Sequence, residues 1–263
     1  MDQKTTSKRK ASNKKPSKNK DEVASKYFRE SHESRSEKPL NNPTMASGTK
    51  HLRAFFELPC LELSKALLGQ VLVRKLPNGE RLSGRIVETE AYLGSADSAS
   101  HSYKGPTGRN GAMFMQPGTA YVYNIYGMYC CMNISSQGTG SCVLLRALEP
   151  LENQDIMRGA RSTRRQDEGK GLKIKDLCNG PSKLCQALHI DKDSINTQDL
   201  VTSGCIWLEK GAPVQEEEII VSTRIGIESA GPESASKPYR FYVRNSDCVS
   251  RRDKKAEAKN DQS

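Results

Sequence analysis

The sequence predicts one α+β domain, a mainly antiparallel and curved β-sheet with a protruding hairpin, preceded by a disordered basic tail. Three observations carry that reading. Asn78-Gly79 lies between two apolar runs, residues 81–93 suit a long strand with one polar face, and a tyrosine-rich stretch at 120–135 reverses around Tyr126-Gly127-Met128. Asn-Gly is the strongest short hairpin signal, because both residues accept the positive φ that a tight two-residue turn demands.

In chain order, the tail comes first. Residues 1–50 hold 13 of the 41 Lys+Arg and 6 of the 31 Asp+Glu, which is +7 of the net +10, and they contain almost no aliphatic runs. Such a segment buries too little apolar surface to offset its ordering entropy, so 1–48 is expected to be disordered. The cluster Lys8, Arg9, Lys10, Lys14 and Lys15 fits a nuclear-localisation signal and equally a non-specific nucleic-acid arm. A nuclear protein is expected, with a mitochondrial fraction allowed. The globular domain spans 49–252, and 253–263 is expected to be a second disordered tail.

Residues 61–68 have helix-forming content, with Gly69 placed to cap the end. Residues 71–76 then read as a strand that turns at Asn78-Gly79 into 81–93. Side chains alternate along a strand, so Glu88, Glu90 and Tyr92 share one face and Val87, Thr89 and Ala91 the other. Glu90 and Tyr92 are then roughly 6 to 7 Å apart, an acid beside an aromatic plane. The second hairpin, over 121–134, carries Tyr126 and Met128 at its turn. Large apolar side chains usually retreat from water, so this tip reads as a wedge. A strand at 142–148 follows, then a helix at 183–188 opened by Asn179-Gly180-Pro181-Ser182, and strands at 219–227 and 239–243.

No window of 18 apolar residues occurs and the first residues lack the apolar core of a secretory signal, so neither a membrane span nor export is expected. The eight cysteines include no C-x-x-C pair. They read as small buried hydrophobes in a reducing compartment, without structural zinc. By residue type alone, a strand glutamate is by default a solvated charge, Tyr121 and Tyr129 are ordinary strand aromatics, and Arg146 has Glu149 as a nearby partner.

Several blocks, RIVETEAYLG, MFMQPGTAYVYNIYGMYCCMNIS, CVLLRALEPLE and CNGPSKLCQAL, follow one another in the order seen in the alkyladenine (3-methyladenine, or methylpurine) DNA glycosylases of vertebrates. The chain resembles that family from about His51 to about Ser250, and the first 50 residues lie outside the likeness. The loops 102–112 and 159–176 depart from the family pattern. The resemblance implies excision of damaged purines from duplex DNA after the nucleotide is flipped out, by hydrolysis of the N-glycosidic bond. It also implies a monomer acting without metal or other cofactor. Substrates so implied are 3-methyladenine, 7-methylguanine, hypoxanthine and ethenoadenine. It assigns Glu90 as the base that activates water, and Tyr92, His101 and Tyr123 as the walls of a base pocket. Asn133 is assigned to clash with the exocyclic amino group of guanine, and Arg146 to steady the pocket. Tyr126, with Met128 beside it, enters the gap left by the flipped nucleotide.

Phosphate contacts are expected first from Arg109 and Lys183, then from Lys104 and Arg240, helped by free N–H groups at the helix after Pro181. Two readings from other classes stay open. One is a non-catalytic module for damaged DNA, in which Glu90 is inert. The other is a metal-dependent nuclease with Glu88, Glu90 and Asp97 around Mg²⁺.

Overall fold

The computed structural model describes residues 48–163, 169 and 171–260. Eight strands run as β1 (Val71–Lys75), β2 (Arg81–Leu93), β3 (Ala120–Ile125), β4 (Tyr129–Ser135), β5 (Ser141–Glu152), β6 (Ile206–Glu209), β7 (Ile219–Ser222) and β8 (Arg240–Val243). Short helices flank them: α1 (Arg53–Phe56), α2 (Cys60–Ala66), α3 (Gln154–Ser162), α4 (Pro181–Ala187), α5 (Lys192–Ile195), α6 (Pro232–Ser236) and α7 (Lys254–Asn260). All strand pairings are antiparallel, in the order β3-β4-β5-β2-β1-β6, with β8 joined to β2 and to β7. The α+β class and the curled antiparallel sheet are as the sequence predicts.

Strand β2 is the axis of the sheet. Along one edge its first half pairs with β1, from Lys75–Arg81 to Val71–Arg85, and its second half pairs with β8 at Glu88, Thr89 and Glu90. The other edge runs along β5 with register shifts on both sides of Glu88. Such irregularities bend and twist a strand, and here they mark the place where one edge partner hands over to the next. The apolar face of β2 buries Val87 and Ala91, and the Thr89 hydroxyl donates to Ser64 O on α2 at 2.8 Å. Leu63, Leu67, Val122, Ile134 and Leu145 close this core. Glu88, Glu90 and Tyr92 point the other way.

The hairpin joining β1 to β2 forms as predicted, but of the two turn residues only Gly79 takes positive φ, 91°, with its N–H donating to Leu76 O at 2.9 Å. At the second hairpin Tyr126 takes φ 50° and Gly127 φ 70°. A non-glycine residue in that region carries a conformational cost, here at the tip of a hairpin whose side chain is 89% exposed. Three expectations need correction, and two elements were not expected. The helix expected over 61–68 is α2, which begins at Cys60 and ends at Ala66. The 219–227 strand stops at Ser222, because the chain turns away to line the site. Strand β6 and helix α3 had no distinct sequence signal. Finally, residues 254–260 form α7 rather than a disordered tail. Asp253 Oδ1 accepts from the N–H groups of Lys255 and Ala256 at 3.1 Å each, and Glu257 accepts from the Tyr242 hydroxyl at 3.0 Å. A capping aspartate and a buried anchor hold what composition alone reads as solvated. The tail expected over 1–48 falls outside the described residues except at Gly48, whose N–H donates to Glu209 at 3.0 Å.

The eight cysteines are all free, and six are buried, as small hydrophobes would be.

Candidate active site

A cleft of about 440 Å³ opens on the polar face of β2, between the β3–β4 hairpin, the turn after β2 and the loop 225–230. Tyr92, His101, Tyr123, Asn133 and Arg146, from five separate segments, all line it. The Tyr121 and Tyr123 rings stack at 5.4 Å and 28°, and His101 meets Tyr123 edge-on at 4.6 Å and 73°. His101 Nδ1 and the Tyr121 hydroxyl share a hydrogen bond of 2.9 Å. Tyr121 is thus a buried member of the wall that strand propensity alone disguised. Burial, with Cys142 nearby, pushes its phenol up to about 12 against the pull of Arg109, while burial and the Arg109 guanidinium lower the pKa of His101. The wall is neutral near pH 7. Asn133 is held by donating to Tyr121 O at 3.1 Å.

Glu90 stands behind these rings with no solvent exposure. Its Oε1 accepts from the Ile225 N–H at 2.8 Å and lies 3.2 Å from Arg146 Nη1; its Oε2 accepts from the Tyr92 hydroxyl at 2.9 Å. Burial raises its pKa above the ordinary carboxylate range, although Arg146 and both hydrogen bonds oppose that shift. A buried carboxylate held so that its affinity for a proton is raised has the chemistry that proton transfer asks for. Burial also raises the Tyr92 phenol well above its usual value, so Tyr92 stays a donor to Glu90.

Arg146 turns away from Glu149, which instead pairs with Arg85 at 3.5 Å. Its Nε donates to Glu88 at 3.0 Å while Nη1 faces Glu90. Glu88 also takes Arg240 Nη1 at 3.1 Å and the N–H and hydroxyl of Ser250 at 2.6 and 3.0 Å. Arg240 is therefore a buried counter-ion, and the expectation that it meets phosphate is corrected. Asp97 is engaged by Arg224 through both oxygens. The three carboxylates named for Mg²⁺ do not converge; each is turned to an arginine. Among the described residues no cluster of three His, Cys, Asp or Glu has metal-binding geometry.

At the mouth, Arg109 lies 5.6 Å from the Tyr123 ring centre. Lys183 is on α4, tied to Asn179 Oδ1 at 2.8 Å, and burial with the Arg161 guanidinium lowers its pKa. Helix α4 has only seven residues, so a phosphate there would be met by Lys183 more than by a helix terminus. Lys104 is exposed and apart from the cleft lining. Tyr126 and Met128, 57% exposed, project from the hairpin tip. Sequence reasoning missed Ile225, which acts through its backbone, and Arg224, whose partners lie far away in the chain.

The arrangement has relatives. A family model described as Methylpurine-DNA glycosylase (MPG) matches residues 54–247. The chain is 58% identical over 207 residues to DNA-3-methyladenine glycosylase of Homo sapiens, covering 77% of this chain and 68% of that protein. The DNA-3-methyladenine glycosylase of Mus musculus is 55% identical over 208 residues, 77% of this chain and 62% of its own length. That of Rattus norvegicus is 54% identical over 205 residues, 77% and 64%. The chain thus spans about two thirds of the length of these mammalian relatives. With its aromatic cleft and buried carboxylate, the chain belongs to the methylpurine-DNA glycosylase family, whose enzyme class is DNA glycosylase.

Proposed function

We propose that this chain removes alkylated or deaminated purines, among them 3-methyladenine, 7-methylguanine, hypoxanthine and ethenoadenine, from duplex DNA in base excision repair. The observation that carries this reading is Glu90: buried, raised in pKa and beside a cleft walled by neutral aromatics. The damaged nucleotide rotates out of the duplex and its base stacks against Tyr92, His101 and Tyr123, at a gain of roughly 1 to 3 kcal/mol per stacked base. Tyr126, with Met128 beside it, fills the vacated step. Asn133, fixed by Tyr121 O, excludes a purine bearing the exocyclic amino group of guanine.

The C1′–N bond breaks with its electron pair going to the base, which leaves neutral if it was a cationic methylpurine and takes up a proton if it was neutral, as hypoxanthine is; a water oxygen bonds to C1′ and the water's proton passes to Glu90. The Glu90 charge also balances the cationic sugar of the transition state. Arg146, on the neighbouring strand β5, fixes the carboxylate's orientation from 3.2 Å. Water is the nucleophile, so the product is an abasic site in an unbroken strand. Arg109 and Lys183 meet the phosphates as the protein acts as a monomer in the nucleus.

The test is single-turnover release of hypoxanthine from a duplex in EDTA, with the unmodified protein and Glu90→Gln. Free base and an alkali-labile site from the unmodified protein alone are expected. Duplex binding without release of this or a methylated base by either protein would instead leave a non-catalytic binding module. Nicked strands that need Mg²⁺ would point to a nuclease.

A further inference from the structure

The two neutral donors that hold Glu90 share one anchor. Ile225, whose N–H is 2.8 Å from Glu90 Oε1, directly follows Arg224 in the chain. Tyr92, whose hydroxyl is 2.9 Å from Glu90 Oε2, has its ring 4.7 Å from the Arg224 guanidinium carbon. Arg224 is in turn gripped on every side. Nη1 and Nη2 reach the two oxygens of Asp97, the second at 2.8 Å. Nη1 also donates to Ala91 O at 2.9 Å, between Glu90 and Tyr92, and Nη2 donates to Ser234 O at 3.2 Å.

Both members of this ion pair have side chains with no exposure, and Arg224 Nε is buried without a hydrogen-bond partner. Burying two charges and an unpaired N–H is a poor route to stability, since an apolar pair of similar size does as well or better. What the pair supplies is geometry. Asp97 starts the turn that carries Ser98, Ala99 and His101 into one side of the cleft, and accepts from the Leu93 and Ala99 N–H groups at 3.3 and 3.2 Å. Arg224 starts the loop 225–230, the opposite side. Ser98 adds a lighter tie, donating to Ala230 O at 2.8 Å.

We propose that Asp97 and Arg224 are positioning residues for base excision: together they clamp the two sides of the cleft and aim the Ile225 N–H and the Tyr92 hydroxyl at Glu90. The inference rests on the excision reading above. A planar, forked guanidinium is required, because an ammonium can neither grip both Asp97 oxygens nor lie flat over a ring. The cation over Tyr92 also makes its hydroxyl a stronger donor, in keeping with the direction in which Arg224 acts on that phenol.

The experiment compares Arg224→Lys, and the uncharged double change Asp97→Asn with Arg224→Gln, against the unmodified protein. Neutral hydrogen-bonded pairs of the same shape are tolerated where half an ion pair is not, so the double variant keeps the fold within reach. Single-turnover release of hypoxanthine from a saturating duplex is followed against pH, below each protein's own melting temperature. Expected in both variants is a plateau rate lower by about 10- to 100-fold, the usual effect of removing an outer support of a reacting group. Duplex affinity stays within about threefold, since the hairpin and phosphate-facing residues are untouched. In the double variant the midpoint of the rising limb moves to higher pH. The titratable and charged groups around Glu90 are Arg146 on β5, Glu88 and Tyr92 on β2, Cys131 on β4 and, beyond Tyr92, Arg224 with Asp97 behind it; the double change removes the Arg224 cation that acts on Glu90 and the Asp97 charge one group further away. A folded variant with an unchanged plateau and midpoint overturns the proposal, whatever its melting temperature. Absence of base release by the unmodified protein overturns the excision reading itself.

Discussion

Glu88 and Glu90 sit two residues apart on one face of β2, both fully buried, yet their surroundings differ in kind. Glu88 accepts four hydrogen bonds, from Arg146, Arg240 and both donors of Ser250, and faces two guanidinium groups. Glu90 accepts two from neutral donors and shares one guanidinium with its neighbour. The first is satisfied on all sides and has no approach from the cleft. The second is under-compensated and lies behind a pocket wall. Identical chemistry on one strand therefore divides into a carboxylate held by four donors and one held by two, the difference on which the proposed role of Glu90 rests, and long-range contacts make the division.

The largest expected effect is on chemistry at Glu90. Glu90→Gln should lower single-turnover excision by at least about 10³-fold, within the range for loss of a positioned base. The sign for stability is opposite. A folded pKa raised above the unfolded one means stability is full below the unfolded pKa and declines as pH rises through the folded one. Above its folded pKa the ionised group is a burden that glutamine lacks, so Glu90→Gln should gain in melting temperature over the unmodified protein as pH rises. A lower melting temperature, measured by circular dichroism, would put the compensation at Glu90 on a par with that at Glu88. For the unmodified protein, the excision rate should climb with pH across a midpoint above the ordinary carboxylate range.

Glu88→Gln should do the reverse. It leaves Arg146 and Arg240 short of a counter-charge in the interior, a loss on the order of 3 to 5 kcal/mol. Urea unfolding checks this, and rate loss in the folded fraction should stay well short of that for Glu90→Gln. Were the folded Glu88 variant the slower enzyme, the two carboxylates would exchange roles.

Smaller effects belong to the periphery. Tyr126→Ala removes an exposed side chain, so stability should change by less than about 0.5 kcal/mol. Excision from duplex should fall about 10-fold or more, in line with the loss of a stacking contact, with little loss on single strands. Equal losses on both would deny the hairpin tip its place in the helix. Smallest of all, deleting residues 1–48 should weaken duplex binding at low salt, because a segment rich in lysine and arginine adds phosphate contacts. Its single-turnover rate should stay within about twofold; a large fall would make the tail part of the site.

How far the sequence could be read follows the same divide. The Asn78-Gly79 turn, the extent of β2, the hairpin around Tyr126 and the polar face of Glu88, Glu90 and Tyr92 are local matters of turn chemistry and alternation. They were legible, and the class of fold followed. Arg224, Ile225 and Ser250 were not, since their partners Asp97, Glu90 and Glu88 lie 127, 135 and 162 residues away. Ile225 contributes only its backbone N–H, which no residue type announces. Helix α7 was hidden by its charge, because what holds it is long-range: the buried Tyr242 hydroxyl, the Ser222 hydroxyl on the capping Asp253, and Ala256 against a small apolar cluster.

The handover of β2 from β1 to β8 has a consequence during synthesis. Residues 71–152 can pair as hairpins soon after they emerge from the ribosome, and with them comes the tyrosine-tipped hairpin. Glu88 and Glu90, however, gain β8 and Ser250 only after residue 250 has left the exit tunnel. A nascent chain of this protein therefore carries its exposed tyrosine hairpin long before the two carboxylates of β2 have all their partners.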